Sequence, residues 1–301
     1  MFELNTSIFT LKELKNTDIS AYDAVYLGDP FCRQYEDNLS ENYKDLKSAI
    51  SIVKDKGKKV FVSTYAVPRN SDLKAVEKTF CLAAKLKADA VEIQNYGVLR
   101  MIRDIIPKMP VHAGSLANIY TVATAQKLKA DGVKRIKGNY ELCLDELAEL
   151  KDSSGLETEV LLHGKMILGI SEYCLTKKWL GKKTGDCQGL CRKNNCLSSR
   201  KLVLNNFGRV TLSGKDMCMI EHLPLVLKKG FRVFRLETFR ETRGYAAEVG
   251  RIYKGAIQEA LGSFKYQPRK HLLKLKKFSP LGFCNGYYFA TSGQDYIHSQ
   301  K

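Results

Sequence analysis

The sequence predicts a (β/α)8-type barrel, and three observations lead to that fold class. Short runs of β-branched residues alternate with amphipathic helical segments along most of the chain, giving eight βα-like units. Repeated βα order requires parallel strands with right-handed crossovers, and eight such strands suggest a closed barrel. The first βα turn lacks a G-x-G-x-x-G motif, so the alternative, an open doubly wound sheet, has no dinucleotide fingerprint to support it. We expect a single domain over residues 1–301.

The predicted elements follow one another in a regular rhythm that breaks once. The strands, rich in valine, isoleucine and leucine, cover residues 2–4, 24–28, 59–64, 90–94, 110–113, 133–136, 158–163 and 232–237. The helices, with apolar residues at helical spacing, cover residues 41–54, 73–86, 98–106, 117–130, 141–151 and 244–261. After the seventh strand, residues 165–220 contain five of the nine cysteines. In a barrel this excursion lies at the C-terminal face, where barrel enzymes place their chemistry.

Length and composition indicate a globular protein whose cysteines are expected to stay reduced. The chain has 301 residues, 44% of them hydrophobic, which is enough for one large domain with a substantial core. It has no run of 18 apolar residues and no signal-peptide pattern, so we expect no membrane span and a cytoplasmic location. In that compartment the nine cysteines are expected to be core residues, metal ligands or reactive thiols. Cys81 and Cys143 fall in predicted helices, where we expect small buried side chains.

The chain is strongly basic. Its 49 Lys and Arg residues against 32 Asp and Glu residues give a formal net charge of +17. This balance favours an anionic partner, such as RNA, a phosphorylated or carboxylated small molecule, or an acidic protein. The alternative is a lysine-rich surface that is merely solvated, and charge alone does not separate the two interpretations.

Four cysteines form a candidate metal site. Cys174, Cys187 and Cys191 follow the seventh predicted strand with the spacing C-x12-C-x3-C. Cys32 lies in the loop after the second predicted strand, so a barrel places it on the same face. Four thiolates suit zinc or an iron–sulfur cluster, and the spacing alone does not decide between them. The candidates for the fourth ligand are Cys32, Cys196 and Cys218.

Three side chains at predicted strand ends are candidates for catalysis. His112 follows the fifth strand as a general acid or base, or as a hydrogen-bond donor to substrate. His163 ends the seventh strand, just ahead of the cysteine-rich excursion, and Glu237 ends the eighth strand as a proton acceptor. For the two histidines the alternative is a structural side chain whose hydrogen bonds are satisfied within the fold. No Gly-flanked nucleophile motif identifies a Cys–His peptidase.

Several segments resemble the U-32 peptidase family, also called the collagenase-like proteases. They are Leu162-His163-Gly164-Lys165 followed by Cys174, the turn Val111-His112-Ala113-Gly114-Ser115, and the C-terminal element Asn285-Gly286-Tyr287-Tyr288-Phe289. Further similar segments lie between them, so the resemblance extends over nearly the whole chain.

The cysteine spacing is similar to that of the UbiV-like iron–sulfur members of this family. The resemblance implies a [4Fe–4S] cluster rather than zinc, with Cys32, Cys174, Cys187 and Cys191 as its ligands. It also implies a part in the oxygen-independent hydroxylation of a ubiquinone-type or other aromatic substrate, with prephenate as the oxygen donor. Other members of the family hydroxylate tRNA or rRNA bases, so RNA-base hydroxylation is the alternative. Peptidase activity, from which the family takes its name, is a further one.

Two positions depart from the family's pattern. Gly138-Asn139 stands where the family often has an Arg-Glu pair. Gly114 replaces the usual Ser in the turn after the fifth strand, and Ala117 stands where a Gln is expected. Together with the resemblance to one half of a two-protein system, these departures imply a heterodimer in which a paralogous UbiU-like chain supplies active-site residues.

Overall fold

The computed structural model describes residues 1–33, 37–181, 191, 196–199, 202–238, 244–262 and 266–299. The strands in this part of the chain are β1 (Glu3–Ile8), β2 (Ala24–Leu27), β3 (Lys59–Ser63), β4 (Ala90–Ile93), β5 (Val111–Ala113), β6 (Val133–Lys137), β7 (Glu157–Gly164), β8 (Ile167–Ile170), β9 (Cys196–Ser199), β10 (Leu202–Phe207), β11 (Val210–Ser213), β12 (Asp216–Cys218), β13 (Val233–Glu237) and β14 (Phe283–Cys284). The helices are α1 (Leu11–Lys15), α2 (Tyr43–Asp55), α3 (Leu73–Lys85), α4 (Gly97–Ile105), α5 (Val122–Ala130), α6 (Leu144–Ser154), α7 (Leu175–Trp179), α8 (Leu223–Lys228), α9 (Tyr245–Leu261) and α10 (Pro268–Lys276).

Eight parallel strands close into a barrel. β1 to β7 pair in parallel in chain order, and β13 pairs in parallel with both β1 and β7. In this register Val233 lies opposite Glu3 on one side and opposite Glu159 on the other. Because the eighth predicted strand joins the first to the seventh, the (β/α)8 prediction is confirmed.

The helices bury one face against the barrel, as their sequence pattern requires. In α2, Leu46, Ile50 and Val53 are buried, and the Asn42 side chain caps the helix by accepting a hydrogen bond from the backbone N–H of Asp45 at 3.1 Å. None of the helices in the described ranges is long and apolar enough to cross a membrane.

α5 is shorter than the sequence pattern predicts. The expected helix covers residues 117–130, whereas α5 begins at Val122. Thr121 caps it by accepting a hydrogen bond from the backbone N–H of Thr124 at 3.2 Å. Just before the cap, Asn118 has a left-handed backbone conformation with a φ of 54°, which a continuous right-handed helix cannot contain. The threonine cap therefore sets the start of the helix.

The prediction that Cys81 is buried is wrong. Cys81 lies on α3 as expected, but its side chain is exposed, because Val76, Phe80 and Ala83 form the face that packs on the barrel. Cys143 lies just before α6 and is half-buried at the N-cap position. Neither thiol is a core residue.

After β7 the chain builds a small sheet outside the barrel. The sheet has four antiparallel strands in the spatial order β8, β11, β10 and β9. Along the chain, α7 comes between β8 and β9. β12 then returns antiparallel to β7, and β14 pairs in parallel with β12. The excursion at residues 165–220 was predicted, but its strands were not. β10 is mostly half-buried and carries Asn205 and Asn206, so its alternation of apolar and polar residues is weak.

An apolar contact seats this small sheet on the C-terminal mouth of the barrel. Phe9 and Phe31, in the loops after β1 and β2, form a buried cluster with Val210 and Leu212 of β11. The two phenylalanine rings lie edge to face with their centroids 5.9 Å apart. Burial of such a side chain contributes about 1.5–3 kcal/mol. The contact therefore determines where the inserted segment lies over the mouth.

We predict that Gly164→Ala, at the end of β7, lowers the free energy of unfolding by about 2–4 kcal/mol. Gly164 has a φ of +109°, and an added Cβ would lie 2.1 Å from the carbonyl oxygen of Glu237. Urea unfolding of the variant measures the loss. Gly57→Ala is the matched control, because Gly57 also has a positive φ, of +67°, but no atom lies within 4 Å of an added Cβ. We expect the control to lose about 1 kcal/mol; equal losses in the two variants would contradict the packing argument.

Candidate functional site

A cavity of about 820 Å³ opens at the C-terminal end of the barrel, against the inserted segment. Arg33 lines it from the loop after β2, and Tyr65 and Arg69 line it from the loop after β3. The opposite wall includes Cys174, just before α7, and Arg209, in the turn between β10 and β11. A cavity of this volume is of the size that small-molecule and cofactor sites have in proteins.

The wall of this cavity carries more positive than negative side chains. Arg33 donates two hydrogen bonds to the carboxylate of Glu41, at 2.6 and 3.0 Å. Glu172 is shared by two guanidinium groups, at 2.8 Å from Arg69 and 3.3 Å from Arg209. The charged residues lining the cavity are Arg33, Arg69, Asp72, Glu172, Lys177, Lys178 and Arg209. This balance suits an anionic ligand.

Tyr65 connects the barrel loops to the inserted segment. Its ring contacts two guanidinium groups, with the Cζ atoms of Arg33 and Arg209 at 5.9 and 5.8 Å from the ring centroid. Arg209 also donates a hydrogen bond to the Tyr65 hydroxyl. Burial raises the pKa of Tyr65 to about 12, although the charge of Arg209 opposes this. The phenol therefore stays protonated at neutral pH.

Two of the predicted cluster ligands meet at the turn that contains Gly208. A Cβ placed on Gly208 would lie 3.0 Å from the Cys174 sulfur and 3.5 Å from the Cys191 sulfur, so both sulfurs flank one backbone position. Gly208 has a φ of +70°, a conformation that glycine adopts readily. The Cys174 sulfur accepts a hydrogen bond from the backbone N–H of Lys177 at 3.3 Å. We call Cys174, Cys191 and Gly208 the cysteine turn.

Cys32 reaches the same end of the barrel from the loop after β2. It is buried, with 9% of its surface exposed, and its carbonyl accepts a hydrogen bond from Asn38 at 2.8 Å. The next residue, Arg33, has its Cζ atom 5.9 Å from the centroid of the Tyr65 ring. Tyr65 in turn contacts Arg209, which directly follows Gly208. Cys32 and the cysteine turn thus belong to one contiguous region.

The other candidate ligands differ in their surroundings. Cys187 and the side chain of Cys196 lie outside the described residues. Cys218 lies in β12 opposite His163, with its sulfur 3.6 Å from the Tyr253 hydroxyl, and burial raises its pKa to about 12. Within the described ranges, no three His, Cys, Asp or Glu side chains are close enough together to hold a metal ion. The four-cysteine ligand set therefore stays a prediction.

The chemistry of the cysteine turn fits a thiolate-bound iron–sulfur cluster. Cys191 is 7% exposed, and the missing Cβ of Gly208 leaves space beside both sulfurs. Proteins set the reduction potential of such clusters through their solvent exposure and through N–H···S hydrogen bonds to the sulfurs. Zinc is the alternative, because it also takes four thiolates.

The barrel interior contains a network of buried charges that the sequence analysis did not single out. Arg235 of β13 donates to Glu92 at 2.9 Å and to Glu159 at 3.0 and 3.1 Å. Its guanidinium lies 3.4 Å from the centroid of the Tyr26 ring. Burial alone would raise the pKa of Glu159, but Arg235 outweighs it and holds that pKa far below its ordinary value. The available signal was the charged residue in each of three apolar strands, namely Glu92 in β4, Glu159 in β7 and Arg235 in β13.

Lys137 of β6 and Glu237 of β13 form a second buried ion pair in the same interior. Both line a small cavity of about 20 Å³ at the mouth, and Glu237 also accepts a hydrogen bond from Ser7 at 3.1 Å. Burial favours an uncharged carboxyl, but Lys137 and Arg235 lower the pKa of Glu237 below its ordinary value. Glu237 is thus an ionised carboxylate beside a cavity that has room for about one water molecule.

His112 lies inside the barrel, away from these two cavities. Its Nδ1 is 3.0 Å from the Tyr26 hydroxyl, and its ring centroid is 4.6 Å from that of Phe61. Burial, with the charge of Arg135, lowers the pKa of His112 well below its ordinary value. The ring is therefore neutral, and the side chains that it contacts, Tyr26 and Phe61, belong to barrel strands.

His163 is fully buried at the end of β7 and does not line either cavity. Its ring centroid is 5.4 Å from that of Tyr253, and burial lowers its pKa to about 4. The structure brings Glu237 to the mouth, whereas His112 and His163 occupy separate buried sites. The catalytic roles of all three side chains stay predictions.

We predict that Glu237→Gln lowers the free energy of unfolding by about 3–5 kcal/mol at neutral pH, because it leaves Lys137 buried without its carboxylate. Urea unfolding measures the loss. The control is Asp145→Asn, which breaks an ion pair with Lys229 in which the aspartate side chain is 83% exposed. We expect at most about 1 kcal/mol for that variant. A loss in Glu237→Gln no larger than in the control would contradict the assignment.

The effect of Glu237→Gln should also depend on pH. Because the folded-state pKa of Glu237 is lowered, its contribution to stability is complete above its ordinary pKa of 4.5 and is lost as the pH falls through the folded-state value. The difference between the native protein and the variant should therefore shrink in acid. Unfolding curves measured across that range check the sign, and a difference that grows in acid would contradict it.

The sequence pattern described as Peptidase family U32 matches residues 10–298. An uncharacterized protease of Methanocaldococcus jannaschii is 30% identical, over 96% of this chain and 73% of that protein. A tRNA hydroxylation protein P of Helicobacter pylori is 29% identical, over 95% of this chain and 71% of that protein. A 23S rRNA 5-hydroxycytidine synthase of Escherichia coli is 25% identical, over 77% of this chain and 35% of that protein.

A solved structure agrees with these sequence matches at the level of the fold. The U32 peptidase Mk0906 superposes with a TM-score of 0.50 and 12% identity, over 79% of this chain and 93% of that one. The match of the family pattern over almost the entire sequence establishes what the individual segments suggested. The chain belongs to the U32 peptidase family.

Proposed function

We propose that this chain is an iron–sulfur protein that takes part in the oxygen-independent hydroxylation of a base in RNA. The observation that carries the proposal is the cavity of about 820 Å³ whose wall joins three arginines to Cys174 of the cysteine turn. Arginine recognises phosphate through paired N–H donors, so this wall suits a nucleotide. Relatives named for tRNA hydroxylation and for rRNA hydroxycytidine synthesis support an RNA base as the substrate.

The proposed cluster is [4Fe–4S], with Cys32, Cys174, Cys187 and Cys191 as ligands. When bound, such a cluster supplies one-electron transfer. Four cysteine ligands use every iron, so substrate binding falls to the side chains of the cavity. The assignment is supported locally by the Cys174 and Cys191 sulfurs at the cysteine turn, and by the N–H that Lys177 donates to Cys174.

The chain's own residues would bind the substrate and hold a proton. Arg209 has a buried Nε with no hydrogen-bond partner among the described residues, so this group can donate to an anionic ligand. Glu237, ionised beside Lys137, is a carboxylate at the mouth that can accept a proton. Both groups come from elements that the barrel and the inserted sheet hold in place.

A second candidate function is supported by the cysteine spacing. The C-x12-C-x3-C pattern with a lone upstream cysteine favours hydroxylation of a ubiquinone-type substrate by a heterodimer with a UbiU-like chain, with prephenate as the oxygen donor. The departure at Gly138-Asn139 supports a partner that completes the active site. Co-purification of a paralogous chain, together with loss of quinone in cells lacking this protein, would favour this candidate. Peptidase activity that persists without a cluster would favour the third alternative.

We predict that Cys174→Ala and Cys187→Ala each abolish cluster binding. Purified without oxygen, the native protein should contain about four iron and four sulfide per chain. Each variant should lose most of both, because a missing thiolate leaves one iron without its protein ligand. Cys196→Ala and the surface variant Cys81→Ala are the controls and should keep the full content. Zinc in place of iron in the native protein, or loss of iron in Cys196→Ala, would contradict the ligand set.

We predict that deletion of the gene removes one hydroxylated nucleoside from cellular RNA. Liquid chromatography with mass spectrometry of digested tRNA and rRNA should show the loss of a nucleoside that carries one extra oxygen atom, with gain of the unmodified parent. In deletion cells grown without oxygen, expression of the native chain should restore the hydroxylated nucleoside, whereas expression of Cys187→Ala should not. An unchanged nucleoside profile, with a changed quinone profile, would assign the second candidate instead.

A further inference from the structure

The segment that carries Cys174 exposes two large aromatic side chains. Tyr173 is 76% exposed and Trp179 is 80% exposed. Among the large hydrophobic side chains of the described residues, only Met1 is more exposed. Burial of such rings is strongly favourable, so their exposure needs a reason. Tyr173 precedes α7 by two residues and lines the large cavity, and Trp179 is the last residue of α7.

Contacts with the cysteine turn and with β10 hold α7 in place. The backbone N–H of Leu175 donates to the carbonyl of Gly208 at 2.9 Å, and the Thr176 hydroxyl donates to Asn206 at 3.3 Å. Leu175 lines the large cavity. Trp179 follows it by four residues, so the two side chains share one face of the helix. Trp179 does not itself line the cavity.

Positive charge accompanies these rings. Lys177 and Lys178 lie between the two aromatic residues and line the same cavity. Among the described residues that line this cavity, Asp72 is paired with Arg33, and Glu172 is paired with Arg69 and Arg209. Lysine is depleted in the cores of protein–protein interfaces, whereas exposed aromatic rings beside a basic groove are typical of proteins that bind single-stranded nucleic acid. Charge complementarity thus favours RNA over a protein partner on this surface.

We propose that Tyr173, Trp179 and the lysines of α7 form a stacking surface for single-stranded RNA, which holds the nucleotides next to the one that enters the cavity. The proposal rests on the proposed function, because it gives the substrate of that site as unpaired RNA. Bases stack on the two rings, and Lys177 and Lys178 contact the phosphates. The base to be modified then lies beside the cysteine turn.

The test measures the affinity of the anaerobically purified full chain for a fluorescently labelled oligouridylate by fluorescence anisotropy. Trp179→Ala should weaken binding by about 5- to 150-fold, the range found for the loss of one stacked base. Trp179→Phe should retain most of the affinity, because a phenyl ring still stacks. The control is Leu261→Ala, which removes an exposed apolar side chain, 43% exposed, at the end of α9, and it should bind like the native protein.

A second readout reports the contact directly. Trp179 is the only tryptophan of the chain, so a saturable change in tryptophan emission on adding unlabelled oligouridylate locates the RNA at α7. Affinity should fall as salt is raised, because phosphate contacts release counterions. Equal affinity of Trp179→Ala and the native protein would overturn the proposal. A change in tryptophan emission that a copurifying protein chain causes and oligouridylate does not would also overturn it.

The outcomes separate this inference from the proposed function. If Trp179→Ala loses RNA affinity but the native protein contains no iron, the stacking surface stands and the cluster assignment falls. If the native protein contains the cluster and modifies RNA but Trp179→Ala binds normally, the stacking surface falls alone. Iron content equal to that of the native protein shows that the variant has kept its fold.

Discussion

Four apolar side chains hold the inserted sheet on the barrel, and the geometry of the candidate site depends on that contact. Phe9 and Phe31 extend from the loops after β1 and β2, and Val210 and Leu212 extend from β11. Val210 is two residues from Gly208, so the packing of β11 also positions the cysteine turn. Phe31 directly precedes Cys32, so the same cluster positions the upstream thiol. One apolar contact thus brings distant cysteines to one end of the barrel.

Two electrostatic regimes lie next to each other at this mouth. Within the barrel, Arg235 and Lys137 are paired with Glu159 and Glu237, whose ionised forms burial alone would disfavour, so the buried charges of the interior are balanced. In the large cavity above the loops, arginines and lysines outnumber carboxylates and Arg209 keeps a donor without a partner among the described residues. The first arrangement stabilises the scaffold, and the second leaves charge for a ligand. Recognition of an anionic substrate therefore falls to the loops and the inserted segment.

The sequence predicted the barrel well because its strands are buried on both faces and alternate with clear amphipathic helices. It placed Cys32 and the excursion on one face through topology alone, since every βα loop of a barrel opens at the same end. Local competition explains the errors: Thr121 caps α5 later than periodicity suggests, and Cys81 lies one position off the packed face of α3. The small sheet and the partners of Arg235 depend on contacts far apart in the chain, which periodicity does not encode.

We propose that the cysteines at this mouth hold an iron–sulfur cluster and not a structural zinc. Mössbauer spectroscopy of the full chain, produced on isotopically enriched iron and purified without oxygen, tests it most directly. The spectrum should show the quadrupole doublets characteristic of a [4Fe–4S] cluster with four thiolate ligands, and they should account for nearly all the iron in the sample. A spectrum without cluster iron, together with about one zinc per chain by elemental analysis, would contradict it.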